Sequence, residues 1–97
     1  MRNKTIHVNN IDIWTEIYGN ENSSSIILIA GAMAPAVFYP TVFCEKLAGA
    51  GFRVIRFDNR DIGFSTHFPS AKNADDAPPY SIYDMVEDVN GVLIIMA

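Results

Sequence analysis

A chain of 97 residues has room for one small domain. Apolar residues at 49% and charged residues at 19% exclude a disordered composition. A formal net charge of −4 argues against a nucleic-acid or anionic-membrane surface.

Met1 to Asn10 lacks the apolar core of a signal peptide. No apolar run reaches the ~18 residues that suggest a membrane span. Cys44 is the single cysteine and forms no internal disulfide, which fits a reducing cytoplasm.

Thr5 to Val8 and Ile11 to Tyr18 read as two strands. Asn9-Asn10 between them is hairpin-turn chemistry, because Asn tolerates positive φ. In the second strand Ile11, Ile13, Thr15 and Ile17 alternate with Asp12, Trp14, Glu16 and Tyr18, the pattern of a half-exposed strand. Gly19 to Ser25 is loop. Ile26 to Ala30 is continuously apolar, as in a parallel strand covered on both faces. Gly31 to Pro35 is an irregular loop.

A helix is expected over roughly Pro40 to Ala50. Pro40 suits its first turn and Gly51 its C′ position. Tyr39, Phe43, Leu47 and Ala50 share one face at helical spacing. Arg53 to Phe57 is a second buried-type strand. The resulting β-β-β-α-β order contains a βαβ crossover, which argues for a parallel sheet and an α/β class. Phe68 to Pro79 reads as a surface loop. A last helix starts near Ser81, where Ser81 and Asp84 form a capping-box pattern. Ile82, Met85, Val86, Val89 and Leu93 then recur on one helical face.

Most reactive side chains have structural readings. Cys44 lies mid-helix as a small core residue, with no basic partner to make a thiolate. His7 is an exposed strand residue. Ser65 lies in Gly63-Phe64-Ser65-Thr66-His67 and reads as a turn-stabilising hydroxyl. A Ser65–His67 pair two residues apart does not make a designed base geometry. Asp75-Asp76 is a solvated loop. His7, His67, Cys44 and the acidic residues show no metal-ligand spacing. There is no Gly-x-Gly-x-x-Gly or Walker-type phosphate loop, so no cofactor is expected and a nucleotide-binding βαβ domain is improbable.

Three pieces carry a family resemblance. The buried strand ends in Ala30-Gly31-Ala32-Met33. A helix with Phe43-Cys44-Glu45-Lys46-Leu47-Ala48 follows. Then come Gly51 to Asp58 and the turn Asn59-Arg60-Asp61-Ile62-Gly63-Phe64-Ser65-Thr66. In this order the chain, from about Val8 to Leu93, resembles the N-terminal part of an α/β-hydrolase. The nearest likeness is the esterase branch that includes aclacinomycin methylesterase-like proteins. The resemblance implies a partial α/β-hydrolase domain over residues 1–97, with a β-β-β-α-β-α order that stops before the nucleophile elbow.

By that resemblance the Gly31 loop supplies half of an oxyanion hole. The backbone N–H of Ala32 is the donor, Gly31 makes the sharp turn and Met33 lines the pocket. Ala30 departs from the family's usual His. Asp58 and Arg60 are expected to hold the turn through charge-assisted hydrogen bonds, with a catalytic role the lesser reading. Asp61 stands where the family usually has Gly. The nucleophile, acid and histidine of the triad fall beyond Ala97, so the chain alone is expected to be inactive. The implied substrate of a complete enzyme is a small-molecule ester. Haloalkane dehalogenases and epoxide hydrolases share the same N-terminal pattern and remain an alternative. A second alternative is a non-catalytic remnant that serves as an interaction module. The uncovered third strand predicts self-association through its edge.

Overall fold

The computed structural model describes residues 1–31, 34–68 and 80–96. Its elements are β1 (Arg2–Val8), β2 (Ile11–Tyr18), β3 (Ser25–Leu28), a 3₁₀ turn (Ala36–Phe38), α1 (Thr41–Gly49), β4 (Arg53–Phe57) and α2 (Ile82–Met96). One four-stranded sheet runs in the order β1-β2-β4-β3. The β1–β2 and β2–β4 pairs are antiparallel and the β3–β4 pair is parallel. The sheet is therefore mixed, with its parallel part confined to the βαβ unit.

Local chemistry explains the elements. Asn9 and Asn10 both take positive φ, 49° and 65°, as a two-residue hairpin turn requires. The helix α1 ends in a Schellman motif, with Gly51 N–H on the Ala48 carbonyl and Phe52 N–H on the Leu47 carbonyl. Gly51 supplies the positive φ of 101°. At the start of α2 the Ser81 N–H donates to Asp84 Oδ2 (2.8 Å) and the Asp84 N–H donates back to Ser81 Oγ (3.4 Å). The expected capping box is thus formed.

Two cores flank the sheet. On one face Val92 and Met96 of α2 pack on Ile6, Val8, Ile11, Ile13, Ile17, Ile55 and Phe57. On the other face Cys44 of α1, with Leu47 and Ala48, packs on Tyr18, Leu28 and Val54. Cys44 is fully buried, and burial pushes its thiol pKa up.

The structure shifts four expectations. The packed face of α1 is Cys44, Leu47 and Ala48, while Phe43 is exposed and stacks on Tyr39 at 6.1 Å. Phe43 lies about 100° around the helix from Cys44, and the smaller residues let α1 approach the sheet. The strand β2 alternates only in its first half. Glu16 and Tyr18 are buried because α1 covers that end. The strand β3 is shorter than expected, and Ile29 beyond it is 50% exposed. In α2 the residues buried against the sheet are Asp88, Val92 and Met96, whereas Ile82, Val86 and Leu93 are exposed.

Candidate functional site

The site the sequence points to is the loop that leaves β3. Gly31 is described, while Ala32 and Met33 lie outside the described residues. What the structure gives is the frame on either side of them. Asn59 Nδ2 donates to the Ala30 carbonyl at 3.0 Å and reaches the Gly31 carbonyl at 3.5 Å. On the far side, Asp58 Oδ1 accepts the Ala36 N–H at 2.7 Å. Two consecutive residues of the turn after β4 thus hold both ends of the loop. Both side chains are buried. A buried amide or carboxylate is costly unless its hydrogen bonds are made, so these contacts fix the loop ends strongly.

The turn is held just as firmly. Asp58 Oδ2 accepts the Phe64 N–H (3.0 Å). Ser65 Oγ donates to the Asp58 carbonyl (2.5 Å) and accepts the Trp14 N–H (2.9 Å). Ser65 is buried with both roles of its hydroxyl used, so it is a turn residue, as the sequence suggests. His67 is exposed and its Nε2 meets the Gly63 carbonyl (2.8 Å). It makes no hydrogen bond to Ser65. Gly63 takes φ 57°, and a Cβ there would run into the Asp58 carboxylate.

Asp61 occupies the family's glycine position with φ 71°. A non-glycine residue there carries a conformational cost. It is offset by the Asp61 carboxylate, which accepts the Phe68 N–H (2.9 Å) and the Tyr80 hydroxyl (3.0 Å). The Phe68 N–H, working against burial and joined by Tyr80, lowers the Asp61 pKa.

Arg60 departs from its expected role. It does not brace the turn internally but reaches into α2. Its Nε meets Asp88 Oδ2 at 2.6 Å and its Nη2 meets Oδ1 at 2.9 Å. Asn9 Nδ2 adds a third bond to Asp88 Oδ1 at 3.0 Å. The guanidinium also packs against the rings of Phe68 and Tyr80, 5.1 and 5.3 Å from their centroids. The Asp88 hydrogen bonds outweigh burial and raise the Arg60 pKa.

Sequence reading missed two polar residues here. Asn59 gave no signal beyond its place beside Asp58. Asp88 falls one turn after Asp84 on a helix read by its apolar periodicity, and its burial depends on Arg60. The expected Phe68 to Pro79 loop, with Asp75-Asp76, lies from residue 69 onward outside the described residues.

Beside Gly31 opens a cleft of about 520 Å³. Ile29, Gly31 and Asn59 form one side of it, and Met85, Val86, Val89 and Leu93 of α2 the other. Among the described residues no group of three His, Cys, Asp or Glu side chains is placed to hold a metal ion. No described helix is long and apolar enough to cross a membrane.

No family model matches the sequence. Curated proteins do, two of them methylesterases. Rhodomycin D methylesterase DauP of Streptomyces sp. (strain C5) is 33% identical over 93 residues, which is 96% of this chain and 30% of that protein. Rhodomycin D methylesterase DnrP of Streptomyces peucetius is 32% identical, with the same coverage. Among solved structures, the thioesterase domain from the curacin biosynthetic pathway superposes with a TM-score of 0.81 at 20% identity, covering 100% of this chain and 33% of that one. A laboratory-evolved variant of the potato epoxide hydrolase StEH1 gives a TM-score of 0.81 at 25% identity, covering 99% and 28%. The chain spans about 30% of the length of the curated relatives it matches. These likenesses identify it as an N-terminal portion of an α/β-hydrolase.

Proposed function

We propose that this segment is the oxyanion-loop half of a serine-type carboxylic ester hydrolase, with methyl esters as the substrate class. The observation that carries the reading is the loop after β3, held at Ala30–Gly31 by Asn59 and at Ala36 by Asp58. The 33% identity to a methylesterase supports the ester chemistry. In this reading the Ala32 amide points at the negative oxygen of a tetrahedral intermediate and Met33 lines the pocket. Serine attack on the ester carbonyl, with histidine moving the proton, is performed by residues that this segment does not supply. Residues 1–97 act as a partial domain, inactive alone, in the cytoplasm. The open outer edge of β3 supports self-association.

A second reading is favoured by one observation, the 25% identity to an epoxide hydrolase at a TM-score of 0.81. There the same loop serves a carboxylate nucleophile, and the chain is a hydrolase segment of another chemistry. A remnant used only as an interaction module is the non-catalytic version.

A chimera tests these readings. This chain replaces the matched 93 residues of DauP, and hydrolysis of p-nitrophenyl butyrate is followed. Folded, active chimera is expected. Ala32→Pro, which removes the donor N–H, should lower kcat by about 10²–10³ with KM nearly unchanged. A folded but inactive chimera overturns the hydrolase reading. An unchanged kcat in Ala32→Pro overturns the donor assignment.

A further inference from the structure

The chain turns out of β3 without using what glycine offers. Gly19, Gly51 and Gly63 all take the left-handed backbone region, and Gly31 does not. A Cβ built on Gly31 meets no described atom within 4 Å. Neither backbone freedom nor crowding therefore calls for glycine to make this bend.

The carbonyl directions point to another cause. Along a strand, successive carbonyls face opposite sides. At the end of β3 the Ala30 and Gly31 carbonyls instead face one donor, Asn59 Nδ2. The distances are 3.0 Å to Ala30 and 3.5 Å to Gly31, the second at the long limit of a hydrogen bond. The Gly31 carbonyl also accepts the Ala34 N–H at 3.0 Å, which closes a four-residue turn. Two carbonyl acceptors require the NH2 end of the amide, so its orientation is fixed by its partners. The Asn59 side chain is buried, and a buried donor is costly to leave without a partner. Asn59 is itself held from behind, since its carbonyl accepts the Ile62 N–H at 3.1 Å.

Peptide planarity carries this clamp to the next residue. The Gly31 carbonyl and the Ala32 N–H belong to one planar unit, and in the trans form they point opposite ways. Whatever fixes the carbonyl also aims the N–H.

We infer that Asn59, rather than Gly31, sets the turn out of β3 and is the positioning residue that aims the Ala32 N–H. The use of that N–H on an oxyanion rests on the ester-hydrolase reading above. The turn itself does not, because its hydrogen bonds lie within this chain.

The turn is tested in this full chain by hydrogen exchange at the Ala34 amide, with the Ile55 amide of β4 as the reference for the fold. Asn59→Ala should speed Ala34 exchange about tenfold or more against that reference. Gly31→Ala should change it less than about twofold. Equal loosening by both variants, or no change in Asn59→Ala, overturns the inference. Asn59→Asp keeps the shape should the alanine variant fail to fold. Its carboxylate would face carbonyl oxygens in a buried site, which disfavours the charged form and raises its pKa. Ionised, it cannot donate; protonated, it donates one O–H. Ala34 protection relative to the parent should therefore be low at about pH 8 and recover towards pH 5, and a flat ratio overturns the inference.

The aim of the N–H is tested in the DauP chimera with p-nitrophenyl butyrate. Asn59→Ala should lower kcat about tenfold or more with KM nearly unchanged. The kcat of Asn59→Asp relative to the parent should rise as pH falls from 8 to 6. A loosened Ala34 amide with unchanged kcat overturns the positioning role. A folded parent chimera without hydrolysis sinks the ester-hydrolase reading, while the exchange result still decides the turn.

Discussion

Replacing Glu16 by alanine strands a guanidinium between β4 and α1. Arg56 and Glu16 are both buried. The Glu16 Oε2 accepts from Arg56 Nε at 2.8 Å, from Arg56 Nη2 at 2.5 Å and from the Tyr18 hydroxyl at 3.0 Å. Arg56 Nη1 donates to the Tyr39 carbonyl at 2.5 Å. Burial alone lowers the Arg56 pKa, and the Glu16 carboxylate more than reverses it, so the net shift is upward. With Glu16 gone, Arg56 keeps its charge and loses its one carboxylate partner among the described residues. Breaking a buried pair from one side costs about 3–5 kcal/mol, a large share of the roughly 5–15 kcal/mol that holds a domain folded. Glu16→Gln keeps the shape and one acceptor, and should cost about 1–3 kcal/mol. Replacing both partners by methionine removes the stranded charge and should cost less than Glu16→Ala. Urea unfolding, followed by far-UV circular dichroism and Trp14 fluorescence, gives the numbers. A Glu16→Ala cost under about 1 kcal/mol, or a double variant worse than the single one, refutes the argument.

Three further outcomes follow from the packing. A Cβ at Gly91 would stand 2.7 Å from Val8 Cβ. Gly91→Ala should therefore destabilise by about 1–3 kcal/mol despite its better helix propensity, and Val8→Ala, which keeps the clashing Cβ, should restore little of the loss in urea unfolding. Ser65→Ala leaves the Trp14 N–H and the Asp58 carbonyl short of a partner, which should cost about 1–3 kcal/mol and alter Trp14 fluorescence. Asp61 has a folded pKa below its ordinary 3.8. A depressed carboxylate stabilises the fold above its unfolded pKa and loses that contribution as pH falls through the folded value. Acid unfolding below pH 3.8 should thus include an Asp61 component that Asp61→Asn removes, and identical acid midpoints would contradict it.

The sequence shows the elements more clearly than the contacts between them. Asn9-Asn10, Gly51 and the Ser81–Asp84 box are local signals, because turn and cap chemistry acts over a few residues. The buried side of α1 was not visible, since Cys44 and Ala48 compete with Phe43 on size and the sheet decides. Glu16 alternates like an exposed residue, and only the arrival of Arg56 from β4 makes its burial tolerable. Asp88 is hidden in the same way behind Arg60. Of the candidate site, Gly31 and the Asp58 turn were legible as motifs. Asn59 was not, because its partners are backbone carbonyls of a strand far away in sequence.

The Asn9 side chain bonds to Asp84 and Asp88 across 75 and 79 positions of chain. The hairpin leaves the ribosome well before the helix that covers it. Contacts of such long range close slowly, so Ile6, Val8 and Ile13 stay uncovered until α2 has emerged. Their protection before that point falls to whatever meets the nascent chain, and a chaperone-depleted cell should degrade or aggregate this polypeptide before α2 has docked.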